Sequence, residues 1–130
     1  MKPDLRPYLG RRVTVVVDRP LGSPHPRFPE GEPYPVNYGY LAGTMSGDGG
    51  EIDAYVLGLD VAVERAEGVV IAVVVRGDDV EDKLVVAVEG WVVTAEEVWA
   101  RVEFQERYFD SEVVVLGERG ARRGARLDED

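Results

Sequence analysis

Cysteine is absent from this 130-residue chain, which excludes disulfides, thiolate nucleophiles and cysteine-ligated zinc. Lysine is scarce: only Lys2 and Lys83 accompany scattered arginines, and the net charge is −10 with a pI near 4.6. A nucleic-acid binder needs clustered cations to displace phosphate counterions, so nucleic acid is not expected as a partner. No apolar run approaches the ~20 residues that cross a bilayer, and MKPDLRPYLG at the start lacks the apolar core of a secretion signal. The expectation is a soluble cytoplasmic protein without membrane association. The length suits one domain, 1–116, with a core of useful size.

Valine is what the chain has in abundance. β-Branched runs at 13–17, 54–57, 69–75, 84–88 and 112–116 predict strands. Several are apolar on both faces, as in a barrel whose exterior is covered. Gly and Pro punctuate between them. Thr94 followed by Glu97 predicts a capping box, with Glu96 and Glu97 near the positive end of a helix over about 95–109. Val98, Val102 and Phe109 are expected to share its apolar face, with Trp99 beside it. Trp91 is expected in the core or an interface. The segment 19–40 is a long connection holding six of the eight prolines, the only histidine (His25) and three tyrosines; long ordered loops in small domains tend to carry function. The tail 117–130, a mixture of charge, glycine and alanine, is expected to be mobile.

Residues 34–58, YPVNYGYLAGTMSGDGGEIDAYVLG, are the most informative stretch. Aromatic, turn-forming residues run into Asp48 and Asp53 on a glycine-rich turn, an arrangement that gathers hard oxygen ligands of the kind Mg²⁺ requires. Tyr34, Tyr38 and Tyr40 offer hydroxyl donors for an anion beside the metal, or else pack in the core. Asp48 and Asp53 are also what an ordinary hairpin turn uses. A second acidic cluster, Asp78, Asp79, Glu81 and Asp82, reads either as a solvated loop or as a group whose mutual repulsion a cation relieves.

Taken in order, these stretches resemble the soluble Mg²⁺-dependent inorganic pyrophosphatases of the OB-fold type. The likeness rests on YPVNYGY at 34–40, DGGEID at 48–53, GDDVEDKLVVAV at 77–88, FQERYFDSE at 104–112 and Asp18-Arg19 ending a valine strand. It covers roughly residues 13–116. The resemblance implies a five-stranded OB-like barrel with a C-terminal helix, mainly β, hydrolysis of pyrophosphate to two phosphates, Mg²⁺ as cofactor and a homo-oligomer. Carried over by position, Asp48, Asp53 and Asp82 match the metal-binding carboxylates, and Asp78 or Asp79 a further acidic ligand. Tyr38 matches the tyrosine near the attacking water. Arg19, Lys83 and Tyr108 match phosphoryl-binding groups, with Tyr34 in a lesser supporting place. His25 lies in GSPHP at 22–26, which has no counterpart in the longer enzymes; as a lone histidine it is either structural or exposed, or a phosphate contact. The chain departs from the family at Gly50, where the general base is expected, leaving neighbouring Glu51 as the ionisable candidate. It departs again at Phe109, where a lysine is expected. Two alternatives stand beside hydrolysis of pyrophosphate: action on another small diphosphate, and phosphate and metal binding without turnover.

Overall fold

The structure of the protein, a computed structural model, describes residues 2–47, 49–88, 94–117 and 121–123. Asp48, Trp91 and most of the tail lie outside the described residues. The chain forms β1 (Arg12–Arg19), β2 (Asn37–Leu41), β3 (Ile52–Leu57), β4 (Arg65–Arg76), β5 (Lys83–Ala87), α1 (Ala95–Glu106), β6 (Ser111–Val115) and β7 (Ala121–Arg123). The first five strands close into a barrel in the order β1-β2-β3-β5-β4, with β4 returning to β1. Among the described residues only the β3–β5 pairing is parallel. This is the mainly β, OB-like barrel with one helix that the resemblance implied.

Closure depends on β4. Its twelve residues pair with β1 at one end and with β6 at the other, and its register against β5 slips between Val70 and Ala72. Such a bulge bends the strand so that it can serve both neighbours. The five valine-rich runs each coincide with a strand, except that Val88 and Leu116 lie one residue past the ends of β5 and β6. β2 was not among them: NYGYL reads as a turn by composition, yet it pairs along its length with β1 and β3. Gly39 makes this possible, because a Cβ there would sit 1.9 Å from the Val16 carbonyl oxygen. Within the tail, Ala121–Arg123 pair antiparallel with β6.

Two apolar clusters flank the barrel wall. Val15, Leu41, Ile52, Ala54, Val56, Val70, Leu84 and Val86 form one. Tyr38, Tyr55, Leu57, Val74 and Val85 form the other together with Val98, Trp99 and Val102 of α1. A helix lies outside a closed barrel, so the second cluster is the outer face and the first the interior. Along β3 and β5 the faces alternate residue by residue. Asp53 therefore goes with Tyr55 and Leu57 outward, Lys83 goes outward with Val85, and Asp82 shares the inward parity of Leu84.

The capping box of α1 is present: Thr94 Oγ1 accepts from Glu97 N and Glu97 accepts from Thr94 N. The helix stops at Glu106, three residues short of the expected 109. Arg107 is the C-cap, and the Phe109 N–H returns to the Glu106 carbonyl in a turn that leads directly into β6. Phe109 is thus off the helical face assigned to it.

Candidate active site

A cleft of about 750 Å³ opens on the outer face, between the ends of β1, β3 and β5, the 20–36 segment and the C-terminal end of α1. Its floor is a three-residue constellation. Asp53 Oδ2 accepts from Tyr38 Oη at 3.0 Å and from Lys83 Nζ at 2.7 Å. Lys83, only 3 % exposed, also bonds Glu81, and its ammonium lies 5.8 Å from the Tyr38 ring centroid. β2 and β3 supply Tyr38 and Asp53 as diagonal neighbours, while the parallel pairing of β3 with β5 brings Lys83 alongside. Burial first, and then the Asp53 carboxylate, hold the Tyr38 phenol well above its ordinary pKa. Its hydroxyl stays protonated and remains a donor to Asp53 throughout the neutral range.

The edge of the cleft follows from a break in β1. Its register against β2 shifts between Val17 and Arg19, so that both Asp18 and Arg19 reach the same opening. The Asp18 carboxyl is raised above the usual carboxylate range. Partial burial is the main cause, and the negative charges of Asp53 and Glu51 add to it against the lowering influence of Arg19. Glu51 itself is exposed at the entry to β3.

Behind the cleft lies a network that the sequence reading missed. Glu106, 0 % exposed, accepts from Arg76 Nε at 3.0 Å and Nη2 at 2.6 Å, from Tyr55 Oη at 2.6 Å and from Ser111 Oγ at 2.7 Å. Arg76 Nη1 continues to Asp79 Oδ2 at 3.0 Å, and its guanidinium carbon lies 3.7 Å from the centre of the Phe109 ring. Burial opposes the Arg76 charge, but the hydrogen bonds and charge of Glu106 outweigh it and raise the pKa. Both residues had a readable signal. Glu106 follows Val98 and Val102 at helical spacing, and Arg76 ends a valine strand on the parity of buried Val74; a charge in an apolar stripe requires a partner.

The remaining expected residues are placed as follows. Tyr34 is buried and donates to Gln105 Oε1 at 3.3 Å. His25 stacks on Tyr34 with centroids 5.5 Å apart and an angle of 14°. Tyr108 is exposed at the rim against Phe28, with centroids 6.1 Å apart. Asp82 is buried away from Asp53: it takes Lys2 Nζ at 2.6 Å and the Arg76 N–H at 3.0 Å. Asp79 belongs to Arg76, and Asp78 accepts from the Asp110 N–H at 3.1 Å. Strand parity explains the outcome at 81–83, since Glu81 and Lys83 share the outward face and Asp82 does not. Asp48 lies outside the described residues. Among the described residues no three carboxylate or imidazole groups stand close enough to form a ready-made metal cage, and no helix is long and apolar enough to cross a membrane.

No family model matches this chain, and no curated protein does. Solved structures do. An inorganic pyrophosphatase from Ehrlichia chaffeensis aligns over 90% of this chain and 88% of its own, with a TM-score of 0.62 at 18% identity. One from Coxiella burnetii aligns over 88% and 87% with a TM-score of 0.59 at 17% identity. One from Thermus thermophilus covers 95% and 87% with a TM-score of 0.57 at 21% identity. At these identities the likeness is one of architecture, and on that footing the chain has a pyrophosphatase-like fold.

Proposed function

We propose that the protein is an inorganic diphosphatase, hydrolysing pyrophosphate to two phosphates with Mg²⁺. The observation that carries this reading is the Tyr38–Asp53–Lys83 constellation beside Arg19, in one cleft of a fold shared with pyrophosphatases. A carboxylate and cations at the same opening are what a hydrated metal bound to a polyanion requires.

The donor set fits Mg²⁺ in kind. Asp53 and Glu81 are carboxylates meeting at one cation, the Lys83 ammonium, and Asp18 lines the same cleft as Asp53, so hard oxygen donors of the kind a divalent ion takes converge there. Asp53 and Glu81 would hold the ion, joined by Asp48 on the sequence argument. Asp82, Asp79 and Asp78 we assign to holding the loop. When bound, Mg²⁺ would polarise phosphoryl oxygens and acidify a water.

The rest of the reading concerns the protein's own groups. Arg19 presents a planar fork to a pair of phosphoryl oxygens, whereas Lys83 acts as a point charge. Tyr38 fixes the Asp53 carboxylate through a hydroxyl that does not ionise near neutrality. Gly50 offers no base, and exposed Glu51 contributes charge; Asp18, lining the cleft with an elevated pKa, is the carboxylate suited to accept the proton of the attacking water at its Oδ atoms. Buried Tyr34 and half-buried His25 shape the wall, and Tyr108 stands at the rim. A cytoplasmic homo-oligomer completes this reading, and light scattering on the purified protein tests the assembly.

Phosphate release from pyrophosphate in the presence of Mg²⁺ is the test. One observation favours a second substrate class: the rim is lined by Pro26, Phe28, Tyr108 and Phe109, an apolar surface for which pyrophosphate has no use. Turnover of an organic diphosphate with none of pyrophosphate would decide for that class.

A further inference from the structure

Four cationic side chains line the cleft: Arg19, Arg27, Arg76 and Lys83. Arg76 is committed to Glu106 and Asp79, and Lys83 to Asp53 and Glu81. Arg19 donates to the Asp18 carbonyl at 3.4 Å. The Arg27 guanidinium has no ion pair or hydrogen bond among the described residues; its backbone N–H alone is engaged, with His25 Nδ1 at 3.1 Å. A free guanidinium facing a cleft is either an incidental surface charge or an anion ligand, and the loop that carries it decides between them.

That loop is organised around Arg27. Ser23 and Gly22 are tied to Tyr34 through two backbone bonds of 2.9 and 2.8 Å. His25 accepts the Arg27 N–H at Nδ1, so its proton resides on Nε2 and goes to Gln105 Oε1 at 3.3 Å. Both ring nitrogens are thereby used, and the ring is stacked on Tyr34. One residue further on, Phe28 packs against Tyr108. Pro24, Pro26 and Pro29 restrict the backbone between these anchors. The segment is pinned on both sides of Arg27 while the guanidinium itself remains exposed, in a protein whose net charge is −10.

We propose that Arg27 is a phosphoryl-binding residue of the cleft and that His25 positions it rather than touching substrate. This rests on the reading of the cleft as a diphosphate site and adds to it a contact carried by the loop between β1 and β2. Arg27 and Arg19 are then the two forks available for phosphoryl oxygens.

The test is calorimetric titration of imidodiphosphate, whose P–N–P bridge resists cleavage, in Mg²⁺ with wild type, Arg27→Ala and Arg27→Lys. Arg27→Ala is expected to weaken binding about tenfold or more, as for a lost charge-assisted hydrogen bond. Arg27→Lys should recover part of that loss. The KM for pyrophosphate should rise by a similar factor, with kcat less affected and the affinity for Mg²⁺ alone unchanged. Wild-type imidodiphosphate affinity in Arg27→Ala would overturn the proposal, even if the wild type hydrolyses pyrophosphate well. Arg27-dependent binding by a wild type that releases no phosphate would sustain the proposal and remove the hydrolytic reading instead.

Discussion

Replacing Glu106 with Gln is expected to cost more stability than any surface change. The carboxylate is fully buried and receives four hydrogen bonds, two of them from an Arg76 that is itself 4 % exposed. Glutamine keeps the volume but removes the charge, leaving a buried guanidinium with only Asp79 as counter-ion. Breaking a buried ion pair from one side costs about 3–5 kcal/mol, mostly the penalty of the stranded partner. Set against the roughly 5–15 kcal/mol that holds a domain of this size together, that is a large share. With a urea m-value of about 1–3 kcal/mol/M, the midpoint should fall by roughly 1–5 M. Equilibrium urea unfolding followed by tryptophan fluorescence measures this, since Trp99 is buried on the same helix as Glu106. The double replacement Glu106→Leu with Arg76→Met removes both charges and should recover most of the loss, because an apolar pair of similar volume often matches a buried ion pair. A Glu106→Gln midpoint within ~0.3 M of wild type, corresponding to less than about 1 kcal/mol at such m-values, would refute the reasoning. So would a double variant no better than the single.

Strand parity gives a paired prediction. Glu81→Gln should weaken Mg²⁺ binding, read by calorimetry, with little change in stability, whereas Asp82→Asn should lower stability by about 1–3 kcal/mol by removing the buried charge that assists the bonds from Lys2 and the Arg76 N–H and leave Mg²⁺ affinity intact; the opposite pattern would move the metal to the inward face. Asp18 yields a pH prediction. Its folded pKa is raised, so its contribution to stability is full below the unfolded value near ~3.9 and is lost as pH rises through the folded one. Asp18→Asn should therefore be neutral or slightly stabilising at pH 7, while kcat falls by ~10²–10⁴ and the acid limb of the rate profile flattens; an unchanged limb would exclude Asp18 as the base.

The barrel was legible because valine runs are unambiguous and each coincides with a strand to within one residue, and the capping box at Thr94 and Glu97 marked the helix start. β2 was hidden because its Asn and Gly carry turn preferences, which close packing against Val16 overrides. The helix end was misplaced because Arg107, Tyr108 and Phe109 have no breaker among them, and the turn comes from the path into β6. At the site, Tyr38, Asp53, Lys83 and Arg19 do line one cleft. The acidic run 78–82 was harder to read, since its cations lie outside it: Lys2 reaches Asp82 from the far end of the chain, and Arg76 at the end of β4 turns onto Asp79. Counting back two residues from Lys83 would have selected Glu81 for the outward face. Arg27 gave no signal of its own, because nothing in a proline-rich loop reveals which side chain it presents.

The reaction proposed for the cleft above Asp53 is metal-dependent cleavage of a phosphoanhydride. Phosphate release from pyrophosphate, measured with Mg²⁺ and again with excess EDTA, tests it most directly. The expected result is turnover that EDTA abolishes and that Asp53→Asn reduces at least ~10²-fold, as for loss of a principal catalytic group. No phosphate above the enzyme-free control, at any Mg²⁺ concentration, would contradict it.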